Sequence, residues 1–160
     1  MIKHPAVLFV CTANVCRSPM AEALFRRLAA SEIPGGEDWR IDSAGTWAAK
    51  GQRASENSVR VMAKRGLDIS RHRSRIVSGE MLDRYDLVLV MEPGHKEALR
   101  IEFGRAANKV FLLSEMSGPP LPIADPYGSG EADYEVTANE IEQYLRAGLP
   151  EILRLAGKST

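Results

Sequence analysis

The stretch AVLFVCTANVCRSP, residues 6–19, decides the fold of this 160-residue chain. Its first five residues are continuously apolar and rich in β-branched and aromatic side chains, which is typical of a strand buried on both faces of a parallel sheet. The stretches LVLVM at 87–91 and VFLL at 110–113 repeat this pattern, and WRIDS at 39–43 is a weaker strand candidate, ended by Ala44 and Gly45. The sequence therefore predicts four strands.

Apolar residues at helical spacing lie between these strands and predict helices at 20–33, around 59–63, at 92–104 and at 134–156. We expect Ser18 to cap the first helix, with Pro19 at its first position, and Pro150 to kink or split the last one. Strands that alternate with helices predict an α/β fold, a three-layer sandwich with a parallel sheet and helices on both faces, as in flavodoxin-like or Rossmann-like proteins.

Composition excludes several classes of protein. Hydrophobic residues make up 44% and charged residues 26% of the chain, and 21 basic residues balance 21 acidic ones, which argues against a nucleic-acid partner. The two cysteines exclude a disulfide scaffold, and no apolar stretch is long enough for a membrane span. We expect one domain over 1–157, a frayed tail at 158–160, a monomer and a reducing cytoplasm.

The segment after the first strand has the features of an anion-binding site. A short loop between a strand and a helix points backbone N–H groups inward, and the helix N-terminus adds positive charge. The guanidinium of Arg17 can grip two phosphate oxygens at once, and this field favours the thiolate of Cys11. A nucleophile beneath a bound tetrahedral oxyanion is typical of a phosphatase, and the Ser18 hydroxyl can donate to the sulfur.

The proposed chemistry also needs an acid, since expelling an alkoxide or phenolate without a proton is too costly. The irregular segment 114–133 holds four prolines and three glycines, and a long connection of this kind in a compact domain is usually functional. It supplies Asp125, which is followed by the turn residues Pro126, Tyr127 and Gly128. We therefore expect Asp125 to lie over the loop.

The stretches 10–19, 42–46, 72–75, 87–91 and 125–128 jointly resemble the low-molecular-weight protein tyrosine phosphatase family. The resemblance implies a four-stranded parallel sheet, Cys11 as nucleophile and Arg17 as clamp for the phosphate and the transition state. It implies Asp125 as general acid and then as general base. It further implies a phosphate-binding loop made of Thr12, Ala13, Asn14, Val15, Cys16 and Ser18, and a network of Asn14, Ser18, Ser43 and His72 that supports this loop.

The resemblance leaves the substrate open. Ala13 stands where the family usually has Gly, Trp47 is either an aromatic wall for the substrate or a surface residue, and Tyr127 is the candidate for the opposite wall. Val15 favours phosphotyrosine, whereas Thr at this position resembles the phosphoarginine-specific branch. A phosphorylated protein or peptide is the expected partner, and a protein arginine phosphatase is the alternative.

Arsenate reduction and a non-hydrolytic thiol switch are the remaining alternatives. Arsenate reduction in a related branch needs cysteines downstream of Cys16, and none occurs. A thiol switch without hydrolysis would use a disulfide between Cys11 and Cys16, which we expect instead as a protective device in the enzyme. His4, His72 and His95 lack metal-ligand spacing, so neither a metal nor another cofactor is expected.

Overall fold

Four parallel strands form the central layer of the structure, a computed structural model that describes residues 3–157. They are β1 (Ala6–Cys11), β2 (Arg40–Gly45), β3 (Leu87–Val90) and β4 (Val110–Leu112). Their order is β2-β1-β3-β4, and every pairing is parallel. In this register Cys11 pairs with Gly45, so the carboxyl ends of β1 and β2 meet at one edge of the sheet.

Helices flank the sheet. The α-helices of the described residues are α1 (Arg17–Glu32), α2 (Glu56–Lys64), α3 (Gly79–Leu82), α4 (Pro93–Glu102) and α5 (Glu131–Ala156). Short 3-10 helices span Gly36–Asp38, Gly104–Lys109 and Leu113–Met116. The short helix α3 has no apolar period long enough to be read from the sequence. None of the described helices combines the length and apolar character that a membrane crossing requires.

Alternate residues of β1 enter two separate hydrophobic cores, which is why the whole strand is apolar. Phe9 and Cys11 belong to a core with Phe25 of α1 and Ile141 of α5. Leu8 and Val10 belong to a second core that includes Leu82 of α3 and Leu99 of α4, on the other face of the sheet. Helices therefore cover both faces, which confirms the predicted three-layer α/β fold.

The second strand lies later in the chain than predicted. It begins at Arg40 and includes Ala44 and Gly45, because Gly45 pairs with Cys11 at the end of β1. Trp39 lies outside the strand, and its ring packs edge-on against Phe25 at a centroid distance of 6.1 Å.

The predicted cap of the first helix is also wrong. The helix begins at Arg17, with Cys16 as the cap residue, so Ser18 lies inside the first turn. Its hydroxyl contacts Cys11 and Asn14 instead of capping the helix. Pro19 is therefore the third helical residue, a position whose N–H has no partner within the helix in any case.

The last helix is continuous. It runs through Pro150 without the predicted split and begins at Glu131 rather than at Tyr134. Buried residues on both sides of the proline, Leu145 before it and Ile152 after it, belong to the same core. This packing holds both halves of the helix against the sheet although Pro150 donates no helical hydrogen bond. The predicted frayed tail at 158–160 lies outside the described residues.

Candidate active site

The loop of residues 12–16 connects β1 to α1 and turns sharply at Asn14. Asn14 has a φ of 60° and is the sole non-glycine residue within 3–157 with a positive φ. Asn tolerates this left-handed conformation better than most residues do. Its side-chain amide donates to the hydroxyls of Ser18 at 2.8 Å and Ser43 at 3.0 Å, and its Oδ1 accepts the backbone N–H of Arg75 at 3.1 Å. The Asn14 side chain therefore ties the loop to both α1 and β2.

Cys11 ends β1 at the bottom of this loop and is almost completely buried. Its Sγ lies 2.9 Å from the hydroxyl oxygen of Ser18. Because Asn14 donates a hydrogen bond to the same oxygen, the Ser18 hydroxyl keeps its own hydrogen for an acceptor, either the sulfur or the carbonyl oxygen of Ala44 at 3.5 Å. The sulfur is the nearer of the two, so a hydroxyl donor lies beside the thiol.

Arg17 is a buried charge with partners from three parts of the chain, and it is 1% exposed. Its Nη1 donates to Glu92 Oε2 and to the carbonyl of Ile123, each at 2.7 Å, and its Nη2 lies 3.5 Å from Asp125 Oδ2. Its Nε is buried and has no hydrogen-bond partner within residues 3–157. The guanidinium is thus held through Nη1 and Nη2, and its Nε remains available as a hydrogen-bond donor.

The backbone that follows β2 packs directly behind the loop. The N–H groups of Thr46 and Trp47 donate to the carbonyls of Cys11 and Thr12, each at 2.9 Å. A Cβ on Gly45 would overlap the carbonyl oxygen of Thr12. The imidazole Nε2 of His72 donates to the carbonyl of Asn14 at 2.7 Å. These contacts fix the direction of the loop carbonyls, which leaves the loop amides to face the other way.

Cys16 lies at the other end of the loop, buried against α5. Its Sγ is 3.4 Å from the hydroxyl of Tyr134 and 3.5 Å from that of Ser55. Burial raises the pKa of the Cys16 thiol and, in the same way, raises the pKa of Tyr134 to about 12. Both groups are therefore protonated at neutral pH, and neither Cys11 nor Cys16 forms a disulfide.

A cavity of about 410 Å³ opens over the loop. It is lined by Cys11, Thr12, Ala13, Val15, Cys16, Arg17, Trp47, Gln52, Asp125 and Tyr127. Trp47 and Tyr127 are 83% and 71% exposed, so both aromatic side chains stand at its mouth. Asn14, Ser43 and His72 do not line it. A second cavity, of about 490 Å³, lies between α3 and residues 102–106 and shares no residue with the first.

Asp125 lies at the rim of the cavity that contains Cys11. It is partly exposed, its Oδ1 accepts the N–H of Tyr127 at 3.1 Å, and its Oδ2 faces Arg17. No cluster of three or more His, Cys, Asp or Glu side chains suited to a metal ion occurs within 3–157.

A model of the family described as low molecular weight phosphotyrosine protein phosphatase matches residues 6–156. The chain belongs to this family. It is therefore a phosphatase, a hydrolase, with the α/β fold of its relatives.

Curated relatives of this phosphatase carry two different activities in their names. A protein-arginine-phosphatase of Bacillus subtilis is 37% identical over 141 residues, which cover 88% of this chain and 91% of the relative. A probable low molecular weight protein-tyrosine-phosphatase, EpsP of Ralstonia nicotianae, is 37% identical over 155 residues, 97% of this chain and 99% of the relative.

The solved structures that resemble this chain also include both tyrosine and arginine phosphatases. A low molecular weight protein tyrosine phosphatase from T. tengcongensis superposes with a TM-score of 0.85 and 38% identity, covering 92% of this chain and 99% of that one. The YwlE arginine phosphatase from Geobacillus stearothermophilus superposes with a TM-score of 0.84 and 36% identity, covering 94% and 93%.

Several residues of the phosphatase site were not predicted from the sequence. Gly45 and His95 contact the loop, Gln52 lines its cavity, and Glu92 holds Arg17. Gly45 stands in the stretch 42–46 that carries the resemblance, and Glu92 with His95 directly follows β3, whose end meets the same edge of the sheet as β1. The position of residues 92–95 after a buried strand was the signal available.

Proposed function

We propose that this phosphatase hydrolyses phosphotyrosine in proteins through a phosphocysteine intermediate on Cys11. One arrangement carries the proposal: the sulfur of Cys11 lies beside a hydroxyl donor, at the start of a loop closed by Arg17. The buried Nε of Arg17 is a donor without a partner in residues 3–157, and a phosphoryl oxygen supplies the acceptor it needs.

The first chemical step uses Cys11 and Asp125. The thiolate sulfur attacks phosphorus, the bond between phosphorus and the ester oxygen breaks, and Asp125 gives its proton to the departing oxygen. The position of Asp125 at the rim of the cavity, beside Arg17, supports this role.

The second step releases inorganic phosphate. Asp125, now a carboxylate, takes a proton from a water molecule whose oxygen attacks phosphorus, and the phosphorus–sulfur bond breaks. The Ser18 hydroxyl donates a hydrogen bond to the departing sulfur and stabilises it as a thiolate. Both Cys11 and Asp125 then return to their starting protonation states.

The loop and Arg17 bind the phosphoryl group throughout. The amides of residues 12–18 act as hydrogen-bond donors to the phosphoryl oxygens. The positive charge of the Arg17 guanidinium stabilises the negative charge on the same oxygens in the transition state. Contacts with Glu92 and Ile123 orient the guanidinium before substrate binds, so little reorganisation is needed. In the same way, the hydrogen bonds among Asn14, Ser18, Ser43 and His72 fix the conformation of the loop before substrate binds.

The proposed substrate is an aryl phosphate on a protein. Trp47 and Tyr127 form two walls at the mouth of the cavity, and Val15 adds an apolar side chain that cannot hydrogen-bond. Since both cysteines are free thiols, we place the enzyme in a reducing compartment, the cytoplasm.

Phosphoarginine is the second candidate substrate, because arginine phosphatases stand among the relatives and the solved structures. Comparing kcat/KM for phosphotyrosine and phosphoarginine peptides separates the two. We expect wild type to prefer phosphotyrosine and Val15→Thr to shift the ratio toward phosphoarginine, because the Thr hydroxyl can meet the guanidinium. A wild type that prefers phosphoarginine overturns the assignment of the substrate, though not that of the catalytic residues.

Cys16 is proposed to protect Cys11 from irreversible oxidation. Peroxide converts the Cys11 thiolate to a sulfenic acid, and the Cys16 sulfur then displaces water to form a disulfide that a dithiol reduces. We expect peroxide-treated wild type to recover activity with dithiothreitol and Cys16→Ser to recover much less. Equal recovery of wild type and Cys16→Ser would show that Cys16 does not protect Cys11.

The catalytic assignment is tested with aryl phosphates of graded leaving-group acidity. Cys11→Ser is expected to bind inorganic phosphate but to show no turnover. Asp125→Asn is expected to lose most of its kcat with poor leaving groups and less with good ones, by roughly 100-fold or more at the poor end. The exposed Asp38→Asn is the matched control and should behave like wild type. Turnover by Cys11→Ser, or a uniform loss in Asp125→Asn, contradicts the mechanism.

A further inference from the structure

A buried histidine that has no part in the proposed chemistry lies beside the phosphate-binding loop. His95 is 6% exposed and occupies the first turn of α4. Its Nδ1 accepts the backbone N–H of Glu92 at 3.2 Å, and its Nε2 lies 2.9 Å from Oγ1 of Thr12. One side chain therefore connects the start of α4 to the residue that follows Cys11.

The direction of the second hydrogen bond follows from the first. A backbone N–H can only donate, so Nδ1 of His95 carries no hydrogen, and the hydrogen of the neutral ring is on Nε2. Nε2 is 3.7 Å from the Glu92 carboxylate, beyond hydrogen-bond range, and 2.9 Å from Thr12 Oγ1. His95 therefore donates to the Thr12 oxygen.

The neutral form of His95 is the stable one at physiological pH. Burial and, after it, the positive charge of Arg17 lower the pKa of His95 to about 4, while Glu92 and Asp125 act in the opposite direction. The hydrogen-bond direction deduced from the geometry thus holds throughout the neutral range.

The Thr12 hydroxyl consequently has a free hydrogen. Its oxygen already accepts from His95, so the hydroxyl hydrogen is available to an acceptor elsewhere. Thr12 lines the cavity that contains Cys11 and Arg17, where the anionic part of a substrate lies in the proposed function. Glu92, the residue that precedes α4, holds Arg17 at the far end of the loop.

We propose that the Thr12 hydroxyl is a hydrogen-bond donor to a phosphoryl oxygen of the substrate and that His95 is the positioning residue that aims it. This inference rests on the proposed function, since it assigns a further contact in the same site. It distinguishes Thr12 from the other loop residues, which are proposed to bind phosphate through their backbone amides.

The test compares Thr12→Val, Thr12→Ser and His95→Leu with wild type. The readouts are the inhibition constant of inorganic phosphate and kcat/KM for an aryl phosphate. Thr12→Val and His95→Leu are each expected to weaken phosphate inhibition and kcat/KM about tenfold, the usual effect of one hydrogen bond to a charged group. Thr12→Ser keeps the hydroxyl and should stay within about twofold of wild type. His95→Gln, whose amide nitrogen can replace Nε2, should restore part of the loss.

The double variant Thr12→Val/His95→Leu decides whether His95 acts through Thr12. We expect it to be no worse than Thr12→Val alone, because the group that His95 aims is already gone. Thr137→Val, a buried Thr on α5 outside the cavity, is the matched control for the loss of a hydroxyl. Additive losses, or an unchanged inhibition constant in folded Thr12→Val, overturn the proposal.

A second measurement separates this inference from the proposed function. Calorimetric binding of phosphate to Cys11→Ser needs no turnover, and adding Thr12→Val to that variant should weaken binding about tenfold. An enzyme that binds phosphate through Thr12 without hydrolysing aryl phosphates would refute the function and retain the contact. Hydrolysis of aryl phosphates by wild type, together with phosphate binding that Thr12→Val does not weaken, would retain the function and refute the contact.

Discussion

Gly45 and Thr12 lie so close together that a Cβ on Gly45 would overlap the carbonyl oxygen of Thr12. That Cβ would also lie 2.9 Å from the Cβ of Ala48 and 3.1 Å from the amide nitrogen of Asn14. The loop of residues 12–16 therefore packs directly on the backbone at the end of β2, where no side chain fits at position 45.

Gly45→Ala is therefore expected to displace the loop. We expect a loss of 1–3 kcal/mol in the free energy of unfolding, roughly the cost of overpacking in a tight interior, and a fall in kcat/KM of about tenfold or more. Urea unfolding and aryl phosphate hydrolysis measure the two effects. Gly94→Ala is the control, since a Cβ there meets nothing within 4 Å; it should keep wild-type activity and should not lower the free energy of unfolding, because Ala is the better helix former. Wild-type activity in Gly45→Ala would show that the loop does not need this support.

Gly148 allows α5 to pack closely on the 3-10 helix Leu113–Met116. A Cβ on Gly148 would lie 2.5 Å from the Cβ of Met116, and neither atom can rotate away. We expect Gly148→Ala to destabilise the protein by roughly 1–3 kcal/mol in spite of the better helix propensity of Ala. Thermal unfolding measures the loss, and an increase in Tm would mean that α5 shifts without cost.

Stability is expected to depend on the protonation of His95. Its pKa is lowered to about 4 in the folded state, whereas the unfolded chain has the ordinary value of 6.5. Between these values the unfolded chain binds the extra proton, so the free energy of unfolding falls as pH drops from about 6.5 to about 4. The contribution of neutral His95 to the free energy of unfolding is complete above pH 6.5 and is on the order of 3 kcal/mol.

His95→Gln removes this titration and serves as the comparison. Urea unfolding at intervals from pH 7 to pH 4.5 should show a steeper decline for wild type than for the variant. Arg17, Glu92 and Asp125, the charged groups that face His95, are common to both proteins and cancel in the comparison. Parallel curves would contradict the lowered pKa.

Trp47 is expected to contribute to substrate binding and not to folding. Because it is 83% exposed, Trp47→Ala should change the free energy of unfolding by less than about 0.5 kcal/mol. KM for aryl phosphates should rise several-fold with little change in kcat, since the aromatic wall binds ground state and transition state alike. Ile101→Ala, 70% exposed on α4, is the control. An unchanged KM would make Trp47 a surface residue.

The parts of the fold with a strong local signal were predictable. The apolar run of β1 alone indicates a strand buried on both faces, and β3 and β4 repeat that signal. The start of α1 was not predictable, because the Ser18 hydroxyl contacts Cys11 at the end of β1 instead of capping the helix. Pro150 is tolerated for a similar reason, since the packing of α5 on the core outweighs a local break.

Some residues of the candidate site were also recognisable from the sequence and others were not. Cys11, Arg17 and Asp125 could be proposed from residue type and position, because a thiol, a guanidinium and a carboxyl near strand ends have few other uses together. Gly45 and His95 were signalled only indirectly, by the stretch 42–46 and by the end of β3, because the contact that each makes with Thr12 spans a distance that no sequence period encodes.

The contact between Cys16 and Tyr134 makes the loop after β1 depend on the last described helix. The two residues are 118 positions apart, and the Tyr134 hydroxyl lies on α5. The Cys16 thiol is therefore covered only once α5 has packed. A folding intermediate without that packing would expose Cys16 to oxidants that the native protein keeps away from it.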